Sequence, residues 1–245
     1  MKRKFNRRWL LLLLLIPVIA VSGVVVWASN PAAPMSEALA ALESDAAVAV
    51  DATRWLEFMP TNAEPTAGLI FYPGGLVDAR AYAPLAREIA AAGYLVVITP
   101  MPLNLAVFDL NRADTVIAAY PDIEAWALAG HSLGGAMAAR YVFDHPTAMR
   151  GLGLLAAYPD RDLSAIDVQV TNIYGSLDGL ATVEQVEGAR AMLPTVTEWV
   201  KIDGGNHAQF GWYGDQARDN AASIPRSDQQ IQTGAALIAL MGRLS

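Results

Sequence analysis

Hydrophobic and polar positions fall along this chain in blocks of two kinds. Short, largely apolar runs occur at 68–72, 94–99, 126–129, 152–156, 168–174 and 195–202. Runs of this length that end in Gly or Pro read as buried strands. Longer amphipathic stretches lie between and after them, at 82–92, 106–120, 133–143, 182–192 and 227–240, and these read as helices. Ahead of them, 36–42 predicts a short helix with Ser36 as its cap. Two short strands at 46–50 and 53–59 then predict a hairpin-like start to the sheet. Strands that alternate with helices and are apolar throughout predict an α/β fold, a mostly parallel sheet covered by helices on both faces. No internal repeat or low-complexity tract interrupts the pattern. No loop is long enough to hold a lid domain, so the site is expected to be open.

The first 28 residues break this pattern. Lys2, Arg3, Lys4, Arg7 and Arg8 precede an uncharged run, 9–28, interrupted only by Pro17, Ser22 and Gly23. A basic flank followed by such a run reads as a signal anchor or a signal peptide. The run exceeds the roughly 7–15 apolar residues of a cleaved signal, which favours a retained anchor. Val26-Trp27-Ala28 nevertheless resembles a cleavage site. In either case the basic flank stays in the cytoplasm and the remainder crosses the membrane. The expectation is a globular domain at 36–245 behind a linker at 29–35, either membrane-anchored and extracytoplasmic or secreted after cleavage.

Composition narrows the chemistry. The 245 residues include no cysteine, which excludes disulfides, thiolate metal sites and a cysteine nucleophile. Net charge is −7, but the N-terminal segment holds five cations and no acid, so the remainder carries 12 basic against 24 acidic residues. Such a surface repels phosphate backbones and argues against a nucleic-acid partner. No group of His, Asp and Glu has metal-ligand spacing, and no phosphate-binding loop is present.

The strongest chemical signal is Gly130-His131-Ser132-Leu133-Gly134, set between an apolar strand and a helix. G-x-S-x-G in that context is a nucleophile elbow, a sharp turn that lifts the serine hydroxyl above the sheet edge. A serine hydroxyl needs a base. Of three histidines, His131 adjoins the serine and points elsewhere, and His145 sits at a helix end. His207, in Gly204-Gly205-Asn206-His207 after the last strand, is the base that chain order selects. The acid must follow a strand between serine and histidine, and Asp178 in Gly175-Ser176-Leu177-Asp178-Gly179 does so. Asp203 is its nearest competitor; Asp160, Asp162 and Asp167 precede the fifth of the apolar strands. The oxyanion donors are expected to be the N–H of Leu133 and one from Pro73-Gly74-Gly75-Leu76, with Gly75 first and Leu76 next. Tyr72, Leu76, Met101, Phe210 and Trp212 are expected to line a substrate pocket, because their loops flank the site.

The elbow, Tyr72-Pro73-Gly74-Gly75, Gly175-Ser176-Leu177-Asp178 and Gly205-Asn206-His207 together resemble the α/β-hydrolase superfamily. They resemble in particular its small lidless branch, which includes dienelactone-hydrolase-like proteins and alpha/beta hydrolase family 5. The resemblance covers roughly 36–245. It implies an eight-stranded sheet, no cofactor, and a small-molecule ester or related acyl substrate. The oxyanion loop departs from the family by starting Tyr-Pro where many members have His-Gly. Dienelactone hydrolases proper use Cys where this chain has Ser132. The function expected is a serine hydrolase acting through an acyl-enzyme. The alternatives are a membrane-tethered binding protein without catalysis and an acyltransferase.

Overall fold

The computed structural model describes residues 7–244, with side chains from residue 16 onward. Lys2, Arg3 and Lys4, and the side chains of Arg7 and Arg8, therefore lie outside what is described. Helix α1 spans Arg7–Ala28 with Pro17 inside it, and α2 spans Ser36–Ala40. Among the described residues no helix is long and apolar enough to cross a membrane. Residues 29–35 run against the body. The Ala32 amide donates to the Leu76 carbonyl at 2.7 Å, and the Met35 amide to the Trp212 carbonyl at 2.8 Å.

The body begins with β1 (Val48–Asp51), β2 (Leu56–Pro60) and β3 (Ala67–Tyr72), then α3 (Ala83–Ala91) and β4 (Leu95–Ile98). Helix α4 (Arg112–Ile117), β5 (Ala125–His131), α5 (Leu133–Asp144) and β6 (Gly151–Leu155) follow. The chain ends with β7 (Gln169–Gly175), α6 (Val183–Gly188), β8 (Glu198–Ile202) and α7 (Arg226–Met241). The eight strands form one sheet in the order β1-β2-β4-β3-β5-β6-β7-β8. β1 and β2 pair antiparallel, as do β2 and β4; every other neighbouring pair is parallel. The first parallel strand, β3, has β4 on one side and β5 on the other, so the order reverses about it. In open parallel sheets the crevice beyond the strand ends at such a reversal is where ligands bind.

Strand alternation divides the core in two. Leu69 and Phe71 of β3 face α3 and α7 with Val96 and Ile98, packing on Leu85, Ile89, Leu237 and Leu240. Ile70 and Tyr72 face the other way, with Val97, Leu128 and Leu152, onto Val116, Ala138 and Val142 of α4 and α5. Removing a fully buried Leu or Ile from water contributes about 1.5–3 kcal/mol each, so both faces hold their helices firmly.

One expected helix is broken. The stretch 106–120 forms a single turn at Ala106–Phe108 and then α4. The Tyr72 hydroxyl stands between them: it donates to the Leu110 carbonyl at 2.8 Å and accepts from the Ala113 amide at 2.9 Å. The two backbone groups are thus satisfied by a side chain from the sheet rather than by a continuous helix.

Candidate active site

Ser132 joins β5 to α5 with φ 52° and ψ −120°, a conformation that costs an L-residue energy and persists only where the surroundings impose it. Here its amide donates to the Leu155 carbonyl at 2.9 Å, and its carbonyl accepts from the Ala136 amide at 3.0 Å. The two flanking glycines are needed for close approach. A Cβ on Gly134 would lie 2.2 Å from the Tyr72 carbonyl oxygen, and one on Gly130 would lie 2.5 Å from the Gly134 carbonyl carbon. Backbone on both sides cannot move aside, so only glycine lets α5 begin against the ends of β3 and β5. Leu76, Leu103, Asn104 and Ala156 also take positive φ, and all lie in loops at the same carboxyl edge.

Asp178 follows β7 and His207 follows β8. The Asp178 Oδ2 and His207 Nδ1 atoms are 2.8 Å apart, with both side chains buried. The other carboxylate oxygen, Oδ1, accepts from the amides of Leu180 at 2.8 Å and Ala181 at 2.7 Å. This fixes the carboxylate plane and leaves Oδ2 for the imidazole. The far nitrogen, His207 Nε2, is buried and has no hydrogen-bond partner. His207 and Ser132 line the same cavity. No hydrogen bond joins the Ser132 hydroxyl to His207 Nε2. The rival groups are exposed or otherwise engaged, although Asp160 stands on the wall of that same cavity. Asp203 is exposed, Asp160 pairs with Arg140 at 3.1 Å, and His145 Nε2 meets Asn111 Oδ1 at 3.3 Å.

Several residues that hold this pair were not readable in the sequence. Asp219 bridges the two loops: Oδ1 accepts from the Gly179 amide at 3.0 Å, and Oδ2 from the Ala208 amide at 2.8 Å. It thus bonds to the residue after the acid and to the residue after the histidine. Gln229, fully buried on α7, grips the backbone just before His207. Its Oε1 accepts from the Asn206 amide at 3.0 Å, and its Nε2 donates to the Asn206 carbonyl at 2.8 Å. Arg226, at the start of the same helix, donates to the carbonyls of Ala208, Gly211 and Gly214. Nothing in the polar stretch 214–224 marks Asp219 in advance, since its role comes from two loops that meet only in the fold. Asp219→Asn keeps one acceptor oxygen and releases one loop. It is expected to lower kcat roughly ten- to hundredfold with little change in KM, measured by steady-state kinetics beside a melting curve.

The loop after β3 has three amides in question, and two are already committed. Gly74 N–H donates to the Tyr82 hydroxyl at 2.9 Å, and Leu76 N–H to the Asn104 carbonyl at 2.8 Å. Among the described residues, the Gly75 N–H has no acceptor. A Cβ on Gly75 would stand 3.0 Å from Leu133 Cδ2, so these two residues are neighbours over the site.

The cavity beside Ser132 measures about 340 Å³ and is lined mainly by Leu133, Ala136, Ala156, Ala157, Leu180 and Ala181, with Tyr158 and Asp160 also on its wall. The five residues expected to line a pocket are placed differently. Tyr72 and Met101 are buried under the sheet edge in the α4–α5 layer. Phe210 packs on the His131 ring, with centroids 5.7 Å apart. Trp212 is tied to Ala81 through its amide at 2.8 Å, and the Leu76 amide is tied to Asn104. None of the five lines the cavity next to Ser132. The hollow there is made by small residues after β6 and β7.

Among the described residues no group of three or more His, Asp or Glu side chains could hold a metal ion. No curated protein matches the chain. Among solved structures it resembles the esterase domain of a Rhodothermus marinus protein, with a TM-score of 0.58 and 15% identity. That match covers 77% of this chain and 92% of the other, and it concerns the fold. The model of the alpha/beta hydrolase family matches residues 68–231, a span running from β3 through the elbow and both loops of the Asp178–His207 pair into α7. With two thirds of its length matched and an eight-stranded sheet of the corresponding design, this chain belongs to the alpha/beta hydrolase family.

Proposed function

We propose that the protein is a serine hydrolase that cleaves carboxylic esters through an acyl-enzyme on Ser132. The observation that carries this reading is the buried His207–Asp178 contact of 2.8 Å, with Nε2 unpartnered and His207 and Ser132 lining one cavity. Asp178 accepts a hydrogen bond from Nδ1–H, so neutral His207 presents Nε2 as an acceptor. Ser132 Oγ attacks the substrate carbonyl carbon while its proton passes to Nε2, and the carbonyl oxygen becomes an oxyanion. The N–H groups of Leu133 and Gly75 receive that charge. The first is free because it opens a helix, and the second stands without an acceptor between two amides that have one. As the tetrahedral intermediate collapses, the Nε2 proton goes to the departing alcohol oxygen. Water then repeats the sequence on the acyl-enzyme, giving its proton to Nε2; as the second intermediate collapses, that proton returns to Ser132 Oγ and the acid leaves. Asp178 stays ionised and stabilises the imidazolium.

The cavity supports a small or medium apolar group next to the carbonyl, since about 340 Å³ lies at the low end of the range for ligand sites. The N-terminal sequence supports an extracytoplasmic location for the catalytic body, through its five cations ahead of the uncharged run 9–28.

A fluorophosphonate probe should label the protein on the peptide containing Ser132, located by mass spectrometry. An ester series of increasing acyl length should show turnover that peaks at short to medium chains. A folded protein that neither takes the label nor hydrolyses any ester would overturn the assignment.

A further inference from the structure

Two buried side chains remain that the mechanism above does not use, Tyr82 and His131. They touch each other and stand beside both halves of the site. The Tyr82 hydroxyl is 2.9 Å from the Gly74 amide nitrogen and 2.9 Å from His131 Nδ1. The hydroxyl has one proton. Gly74 N–H is itself a donor, and Nδ1 is the one other group the buried hydroxyl bonds, which assigns Nδ1 as the acceptor of that proton. A neutral His131 therefore carries its own proton on Nε2. Burial, and then the nearby His207, hold the His131 imidazole well below its ordinary pKa, against an opposing contact with the His207 backbone. Burial likewise raises the Tyr82 phenol, which keeps its proton.

The contact is tight. A Cβ on Gly74 would lie 2.7 Å from His131 Nδ1 and 2.8 Å from the Tyr82 hydroxyl, so the glycine backbone lies directly on the pair. On its other side, the loop is held by the Leu76 amide on the Asn104 carbonyl at 2.8 Å. The free Gly75 N–H sits between two anchored amides. The His131 ring also lies against that of His207, centroids 4.5 Å apart.

We infer that Tyr82 and His131 are positioning residues, which aim the Gly75 N–H at the oxyanion by fixing the Gly74 amide next to it. The inference rests on the serine-hydrolase reading of Ser132. The two residues act through the backbone of the loop and touch no reacting atom. His131, although it sits inside the elbow motif, serves the opposite wall of the site. Its neutrality also leaves the imidazolium that forms on His207 without a like charge against its ring.

Tyr82→Phe removes the hydroxyl and keeps the ring. It is expected to lower kcat about ten- to hundredfold while KM stays within about twofold. Affinity for a boronic acid, which mimics the tetrahedral oxyanion, should weaken in step with kcat/KM. A merely structural role would lower the melting temperature and leave these two quantities unlinked. His131→Ala and His131→Asn form a second test that does not depend on Tyr82→Phe folding. The Asn carbonyl can accept the Tyr82 proton where Nδ1 did, so His131→Asn should recover most of the kcat that His131→Ala loses. The inference is overturned if Tyr82→Phe keeps wild-type kcat and boronate affinity, or if Asn at 131 is no better than Ala. Failure of the underlying reading is a different result: wild-type protein that neither labels at Ser132 nor hydrolyses esters.

Discussion

Replacing Ser132 by alanine or by glycine is expected to lower kcat for any ester substrate by about a million-fold, while the two variants separate in stability. The activity loss follows from the base. With no hydroxyl in the cavity, His207 Nε2 has no proton to take, and what remains is the roughly 10³- to 10⁴-fold advantage over water that binding and the oxyanion donors supply. Stability follows from the backbone. Residue 132 sits at φ 52° and ψ −120°, held by the Leu155 carbonyl on one side and the Ala136 amide on the other. Alanine keeps the Cβ and with it the strain, of order 1–3 kcal/mol. Glycine removes the Cβ but adds about 0.4–1 kcal/mol of backbone entropy to the unfolded chain. The balance favours glycine by about 1 kcal/mol, which in a domain of this size is a rise in Tm of about 2–4 °C over the alanine variant. Ester turnover by stopped assay and Tm by calorimetry read the two effects separately. Wild-type turnover in either variant would remove Ser132 from the mechanism. A glycine variant no more stable than the alanine one would show that the elbow is not strained.

The elbow and the Asp178–His207 pair were legible because each is a local pattern at the end of a strand that is itself a block of apolar residues. Its place right after a strand set Asp178 apart from Asp160, Asp162 and Asp167, while Asp203, which also follows a strand, stayed its nearest competitor. Boundaries held for the same reason: 68–72 and 133–143 sit inside β3 and α5 almost residue for residue. What failed depended on contacts between distant segments. The helix expected at 106–120 has good local periodicity, yet a tyrosine from β3 takes its Leu110 carbonyl and Ala113 amide. Tyr72, Met101 and Phe210 are large and lie near the sheet edge, but size is also what makes a residue fill the core. The cavity is instead bounded by Ala136, Ala156, Ala157 and Ala181. A hollow is made by side chains that are short, and a search for aromatic linings passes over them. The loop after β6 was the usable signal, since β6 neighbours β5 and carboxyl-end loops gather over the site. The register of the oxyanion loop was open in the sequence because Gly74 and Gly75 are identical there. In the fold they differ in which amide is already bonded.

Asp178→Asn should lower kcat by about 10⁴-fold with only a small change in Tm, and the structure says why the amide must fail. Asp178 Oδ1 accepts two backbone amides, those of Leu180 and Ala181, at 2.8 Å and 2.7 Å. An asparagine has one oxygen. Turning its NH₂ toward two N–H donors would bury three donors with no acceptor, so the oxygen must take the Oδ1 place. The NH₂ then faces His207 Nδ1, which lies 2.8 Å from the present Oδ2. A donor at that position forces Nδ1 to accept, and a neutral imidazole that accepts at Nδ1 carries its proton on Nε2. In the proposed mechanism Nε2 receives the Ser132 proton, and it now presents a hydrogen instead of a lone pair. Packing and backbone bonds survive, so the protein folds with the base in the wrong tautomer. Asp178→Ala provides the contrast. It leaves the imidazole unoriented and also strips both backbone amides of their acceptor, at about 1–3 kcal/mol for each buried group. That variant should lose activity and also melt several degrees lower, by about 2–4 °C per kcal/mol. Activity above about a tenth of wild type in Asp178→Asn, beside an unchanged melting curve, would show that Asp178 does not set the tautomer of the base.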